Sequence, residues 1–274
     1  TFADAEDAGG VEFMAQDGGV AAHAGIGVLG ADGQHRVVEG EARLLADIES
    51  RVGVPDLQPG EQQEKQGAWA AHRDFFGSML RDFGSASEIS ADLQGKGRAR
   101  LALARSKVDR RAVDVFCRDH GYTPAGLFLA ASCYAIGRWT GSADVGISTI
   151  SSGRSDLSLG DSFGMFVRTL PLVIRMENEQ SVLAYISGAH DVLRQSVSHE
   201  AYPYTRIAEE HGFRPSIMYA CELGVLADYE IAGEPMRMTS LEPDEPKFKI
   251  SIHVEEDGDN TMFSVQYNDT LYSS

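Results

Sequence analysis

From Leu127 to Ile136 the chain reads Leu-Phe-Leu-Ala-Ala-Ser-Cys-Tyr-Ala-Ile, with no charged side chain and apolar groups almost all the way round a helix. Thr123-Pro124 just ahead is a helix start, a hydroxyl cap followed by proline at the first helical position. A helix over residues 124–139 with such a surface has to be buried under other elements.

The surrounding pattern supplies those elements. Residues 144–150 and 166–176 read as strands, separated by the turn Ser151-Ser152-Gly153-Arg154. Residues 98–107 alternate leucine with arginine and alanine, as a strand with one solvated face does. Helical spacing recurs over residues 39–52, 61–80, 109–120, 181–198 and 204–210. Trp69, Phe75 and Phe76 in the second of these are core positions. From residue 216 onward the chain becomes strand-rich, with runs at 217–221, 236–239, 248–254 and 262–267, and Asp257-Gly258 marks a hairpin between the last two. A further strand falls within residues 21–30, and residues 1–20 show little periodicity. Helices interleaved with strands, then a run of strands, predict an α/β or α+β protein built on mixed sheets with flanking helices.

A net charge of −17 argues against nucleic acid as a partner, because neutralising phosphates takes clustered lysine and arginine. Cys117, Cys133 and Cys221 are far apart and form no CxxC pair, which fits reduced thiols rather than a disulfide frame or a zinc site. No apolar run reaches the length of a membrane span and no signal peptide opens the chain, so a cytoplasmic protein with no membrane partner is expected. Thr1 and Ser274 do not read as natural termini, and the chain is expected to be a piece of a larger protein.

The segment with the most chemical character is Gln34-His35-Arg36-Val37-Val38-Glu39-Gly40, between a strand and an amphipathic helix. A histidine at a strand end is held by its backbone while its ring faces a cleft, and the helix start beyond it offers free N–H groups and partial positive charge. Such a pairing suits proton transfer beside an oxyanion. Ser152 and Ser155 lie near a glycine turn, but without a G-x-S-x-G elbow a serine nucleophile is not expected. His23, His72, His120, His190, His211 and His253 share no pattern, and His199 reads as a surface histidine at a helix end.

This order of segments resembles the condensation domains of nonribosomal peptide synthetases. His35 with Glu39-Gly40 is similar to the HHxxxDG signature of that family. Gly153-Arg154 leads into Gly164-Met165-Phe166-Val167-Arg168-Thr169-Leu170-Pro171-Leu172, which resembles a Gly-Arg turn before a G-x-F-V-N-T-L-P-L strand. His199-Glu200-Ala201-Tyr202-Pro203-Tyr204 looks like H-x-x-x-P-F/Y, and Arg214-Pro215-Ser216-Ile217-Met218-Tyr219 stands where P-L-F-x-V-x-F is expected. Residues 248–254, Asp257-Gly258 and residues 263–271 resemble the closing strands.

The resemblance implies a two-lobed, chloramphenicol acetyltransferase-like fold with a tunnel between the lobes. Residues 1–58 would be the end of an incomplete N-terminal lobe carrying the His motif, and residues 59–274 the C-terminal lobe. It implies an acyltransferase that forms an amide bond between a carrier-bound aminoacyl or peptidyl thioester and a carrier-bound aminoacyl acceptor. The partners would be peptidyl carrier domains and neighbouring synthetase domains. Their phosphopantetheine arms would serve as substrates, with no metal and no cofactor bound directly. The implied catalytic residues are His35 and Gly40; Glu39 is expected to form a structural salt bridge, with Arg154 as its candidate partner. The chain departs from the family at Gln34, where the first histidine stands, at Glu39 for aspartate, and at Arg168 for asparagine. Three alternatives stay open: a non-catalytic recruitment domain, to which Gln34 and Glu39 point, and two readings from the same superfamily, an epimerisation domain and an acyltransferase with a soluble acceptor.

Overall fold

The computed structural model describes residues 67, 69–95, 98–155, 166–177, 179–223 and 245–273 in full, and elsewhere the backbone of five short strands. The chain divides into two compact units, residues 1–57 and 58–274. In the first, β1 (Val11–Phe13), β2 (Ile26–Leu29) and β3 (His35–Arg36) form an antiparallel sheet in that order. The strand expected within residues 21–30 is thus β2, while the helix expected over 39–52 lies outside the described residues.

The second unit is organised by a six-stranded sheet in the order β4-β11-β10-β7-β5-β6. Its strands are β4 (Leu101–Asp109), β5 (Asp144–Ser151), β6 (Arg168–Arg175), β7 (Ile217–Cys221), β10 (Ile250–Asp257) and β11 (Asn260–Asn268). β10, β7 and β5 run parallel to one another, and antiparallel pairs flank them on both sides. A separate two-stranded ribbon joins β8 (Glu230–Ile231) to β9 (Glu234–Pro235). The strand expected over 236–239 lies outside the described residues.

Five helices are described in this unit: α1 (Ala70–Leu80), α2 (Arg110–His120), α3 (Pro124–Thr140), α4 (Val182–Ser198) and α5 (Tyr204–His211). The apolar helix anticipated from the sequence is α3. Thr123 caps it by accepting from the Gly126 N–H, and Leu129, Ala130, Cys133 and Ile136 are buried against the sheet. Alongside it, α2 contributes Val113 and Cys117, and α4 contributes Tyr185, Ile186 and Ala189. These side chains meet Val145, Ile147, Leu172, Ile174, Ile217, Tyr219, Ile252 and Val254 from the strands, which form one continuous core. Val173 points to the opposite face and joins a second cluster with Trp69, Phe76 and Leu80 of the α1 region, Tyr202, Ile207 and Phe213. There the Phe83 ring lies directly over Gly146, so close that a Cβ at that position would sit 2.2 Å from it.

The sheet also explains where strand ends shift from the sequence pattern. The strand expected at 98–107 runs instead from Leu101 to Asp109, because β4 pairs with the full length of β11, Leu101 opposite Asn268 and Asp109 opposite Asn260. Asp109 then turns from strand partner to helix cap, accepting from the Ala112 N–H to start α2. The hairpin expected at Asp257-Gly258 is present, with Gly258-Asp259 as its two-residue loop. Cys117, Cys133 and Cys221 are all unpaired thiols. Among the described residues no helix is long and apolar enough to cross a membrane.

Candidate functional site

His35 opens β3 opposite Leu29, and only its backbone is described; Gln34, Glu39 and Gly40 lie outside the described residues. The pairing expected between Glu39 and Arg154 therefore rests on the sequence alone. What the structure does place is the surroundings of Arg154 and the two segments on either side of β6.

The Ser151–Ser155 turn is built on close backbone approach. Gly153 has φ +68°, and a Cβ there would fall 1.8 Å from the Phe166 carbonyl oxygen. Arg154 next to it is half-buried, with its guanidinium 4.5 Å from the centre of the Phe166 ring. Such stacking holds the cation at fixed height without using its hydrogen bonds. Arg168 is exposed at the start of β6, paired with Ser151 across the ladder.

Glu200 ties this turn to the segment that follows α4. The residue is 8% exposed, and its carboxylate accepts from the Ser155 N–H at 3.0 Å and also accepts a short hydrogen bond from the Ser151 hydroxyl. A buried carboxylate requires such donors, because losing water's hydrogen bonds without replacement costs several kcal/mol. Two segments that the sequence showed only in order, 151–155 and 199–204, are thereby joined in space. Sequence reasoning gave Glu200 no role.

His199, expected as a surface histidine, is half-buried. Its ring stacks on Phe75 at 4.2 Å between centroids, and its Nδ1 lies 2.9 Å from Nδ1 of His72 on α1. At that separation one ring donates and the other accepts, so the two cannot both be protonated without losing the bond. Burial, followed by the neighbouring His72, pulls the His199 pKa below its ordinary 6.5. A lowered folded pKa means that the unfolded chain binds the proton first, so stability is complete above about pH 6.5 and is lost as pH falls below it. Urea unfolding at pH 7.5 and pH 5 should show a lower midpoint in acid. His199→Phe should reduce that difference, and an unchanged difference would rule the pair out as its source.

Nearby contacts complete the joint between α1 and α5. The Tyr202 hydroxyl donates to Glu210 at 2.9 Å, and Arg73 pairs with the same carboxylate at 3.1 Å. Burial, reinforced by Glu210, pushes the Tyr202 pKa up to about 12, so it remains a donor at neutral pH. Trp69 meets Tyr202 edge to face, with 5.6 Å between ring centres.

The model of the condensation domain family matches residues 61–274, most of the chain and all of the joined segments just described. The chain belongs to the condensation domain family. Bacitracin synthase 1 of Bacillus licheniformis is 22% identical over 171 residues, covering 60% of this chain and 3% of the synthase. The condensation domain from the monacolin K polyketide synthase MokA has the same fold, with a TM-score of 0.63 at 18% identity, covering 79% of this chain and 55% of that one. The X-domain from teicoplanin biosynthesis, in its complex with OxyB, gives a TM-score of 0.62 at 16% identity, covering 84% of this chain and 52% of that one. The chain thus spans a few per cent of the synthase and about half of these solved domains. The family match begins at residue 61, downstream of the His35 segment.

Proposed function

We propose that this condensation domain acts within a nonribosomal peptide synthetase as an acyltransferase, joining a carrier-bound thioester donor to a carrier-bound aminoacyl acceptor. The observation that carries this reading is the family match over residues 61–274, whose motif-like segments are joined through Glu200. Residues 1–58, which hold the His35 segment, are read as the end of the N-terminal lobe, and residues 59–274 as the C-terminal lobe.

In the reaction the acceptor amine attacks the thioester carbonyl and forms the C–N bond. Collapse of the tetrahedral adduct breaks the C–S bond and releases the thiol of the donor arm. The amine sheds a proton as it attacks and the thiolate takes one up as it leaves. His35 is assigned to that proton. Most of the acceleration comes from holding amine and carbonyl together, with both substrates delivered on the phosphopantetheine arms of carrier domains.

The full synthetase containing this chain, with its donor and acceptor carriers loaded, tests the assignment. Intact-protein mass spectrometry should find the joined product on the acceptor carrier. A recruitment role is the second reading, favoured by Gln34 and Glu39 in the motif and by a structural relative solved in complex with OxyB. Carrier or partner binding with no joined product would overturn the catalytic assignment in its favour.

A further inference from the structure

The parallel register of β7 and β10 brings Glu222 beside His253 and Glu255, two neighbours on a strand far along the chain from it. Cys221 pairs with Val254, and the Glu222 N–H donates to the Val254 carbonyl at 2.8 Å, so Glu222 continues the ladder beside Glu255. His253 and Glu255 alternate with Ile252 and Val254, whose side chains enter the core, and so they share the opposite face. One donor atom from each of Glu222, His253 and Glu255 lies within 4.8 Å of the other two. All three are partly buried, with the His253 side chain only 15% exposed.

Two carboxylates here face a single imidazole. Of the successive acids Glu255, Glu256 and Asp257, Glu256 pairs with Arg110 at 3.0 Å and Asp257 with Lys107 at 2.7 Å. Among the described residues the Glu255 carboxylate has neither a hydrogen-bond nor an ion-pair partner. It stands instead beside a second carboxylate, an unfavourable juxtaposition on adjacent strands. His253 Nδ1 lies 3.8 Å from Glu222 Oε2, within ion-pair range when the imidazole is protonated, and its neighbourhood holds the Glu222 pKa below the ordinary carboxylate value; the same spacing is close to that of two ligands on one ion.

We propose that Glu222, His253 and Glu255 form a binding site for a divalent transition-metal ion of the zinc class. The imidazole sets the class, because magnesium and calcium select all-oxygen ligands whereas zinc takes nitrogen with carboxylate oxygen. Three protein donors leave a coordination position for water. An ion there neutralises the carboxylate pair and clamps the end of β7 to β10. The site owes nothing to the acyl-transfer assignment and stands or falls separately from it.

The test uses the full, tag-free chain, stripped with chelator and desalted, then titrated calorimetrically with zinc chloride. One equivalent should bind, and saturation should raise the melting temperature by about 5 °C. Glu255→Gln should weaken the dissociation constant by about tenfold or more. His253→Gln combined with Glu255→Gln should abolish both binding and the thermal shift, while the metal-free melting temperature and circular dichroism of the variants report folding. Cobalt in place of zinc should give visible bands without a thiolate charge-transfer band. Absence of binding to the unaltered chain, undiminished affinity in the double variant, or a thiolate band assigning the ion to Cys221 would each overturn the proposal.

Discussion

Replacing His35 with alanine should lower amide formation on loaded carriers by about 10²- to 10⁴-fold, the range by which a positioned acid–base group accelerates proton transfer. Rate should remain above the uncatalysed background, because proximity of amine and carbonyl does not depend on the imidazole. An attacking amine becomes cationic at the tetrahedral stage and reverts to starting material unless that proton leaves before the C–N bond breaks. A neutral imidazole near pH 7 suits the transfer, and no other residue of the Gln34–Gly40 segment titrates in that range. His35→Gln sharpens the measurement, since an amide preserves a hydrogen bond but cannot take a proton. It should be as slow as the alanine variant if proton transfer is what His35 supplies. Carrier binding should be unchanged in both variants. Turnover of the alanine variant within twofold of the unaltered domain would remove His35 from the mechanism.

What was legible in the sequence divides along the distance over which each signal acts. The helix α3 could be read because its start is local, a threonine cap at residue 123 and Pro124, and because its apolar surface leaves burial as the only outcome. The hairpin of β10 and β11 was legible for the same reason. Pairing between distant strands was not. Nothing in residues 217–221 or 250–257 announces that they lie parallel and adjacent, yet that register alone brings Glu222 to His253 and Glu255. The same holds for Glu200, whose worth comes from Ser151 and Ser155, 49 and 45 residues away. The burial of His199 has no local signal either, because the end of an amphipathic helix looks solvated until α1 supplies Phe75 and His72 against it. The family resemblance survived these gaps because it rests on the order of short local patterns.

Gly153→Ala should destabilise the second unit by about 3 kcal/mol or more, although it adds a single methyl group. Part of the loss is intrinsic: at φ +68° an alanine pays roughly 1–2 kcal/mol that glycine does not. The remainder comes from what lies opposite. The methyl carbon would sit 1.8 Å from the Phe166 carbonyl oxygen, where no side chain can rotate aside, so one of two backbone segments must move by more than an ångström. Neither moves freely. Ser151 is paired with Arg168 in the ladder, and Ser155 and the Ser151 hydroxyl supply the donors of the Glu200 carboxylate. Shifting the turn strips donors from the carboxylate of a buried residue, which adds a desolvation penalty to the steric one. Urea unfolding measures the sum, and a double-mutant cycle with Glu200→Gln separates its parts. Where the charge has already been removed, Gly153→Ala should cost at least 0.5 kcal/mol less than in the unaltered chain. Strict additivity would mean that the turn yields without disturbing Glu200, and that the joint between segments 151–155 and 199–204 is held by something other than that carboxylate.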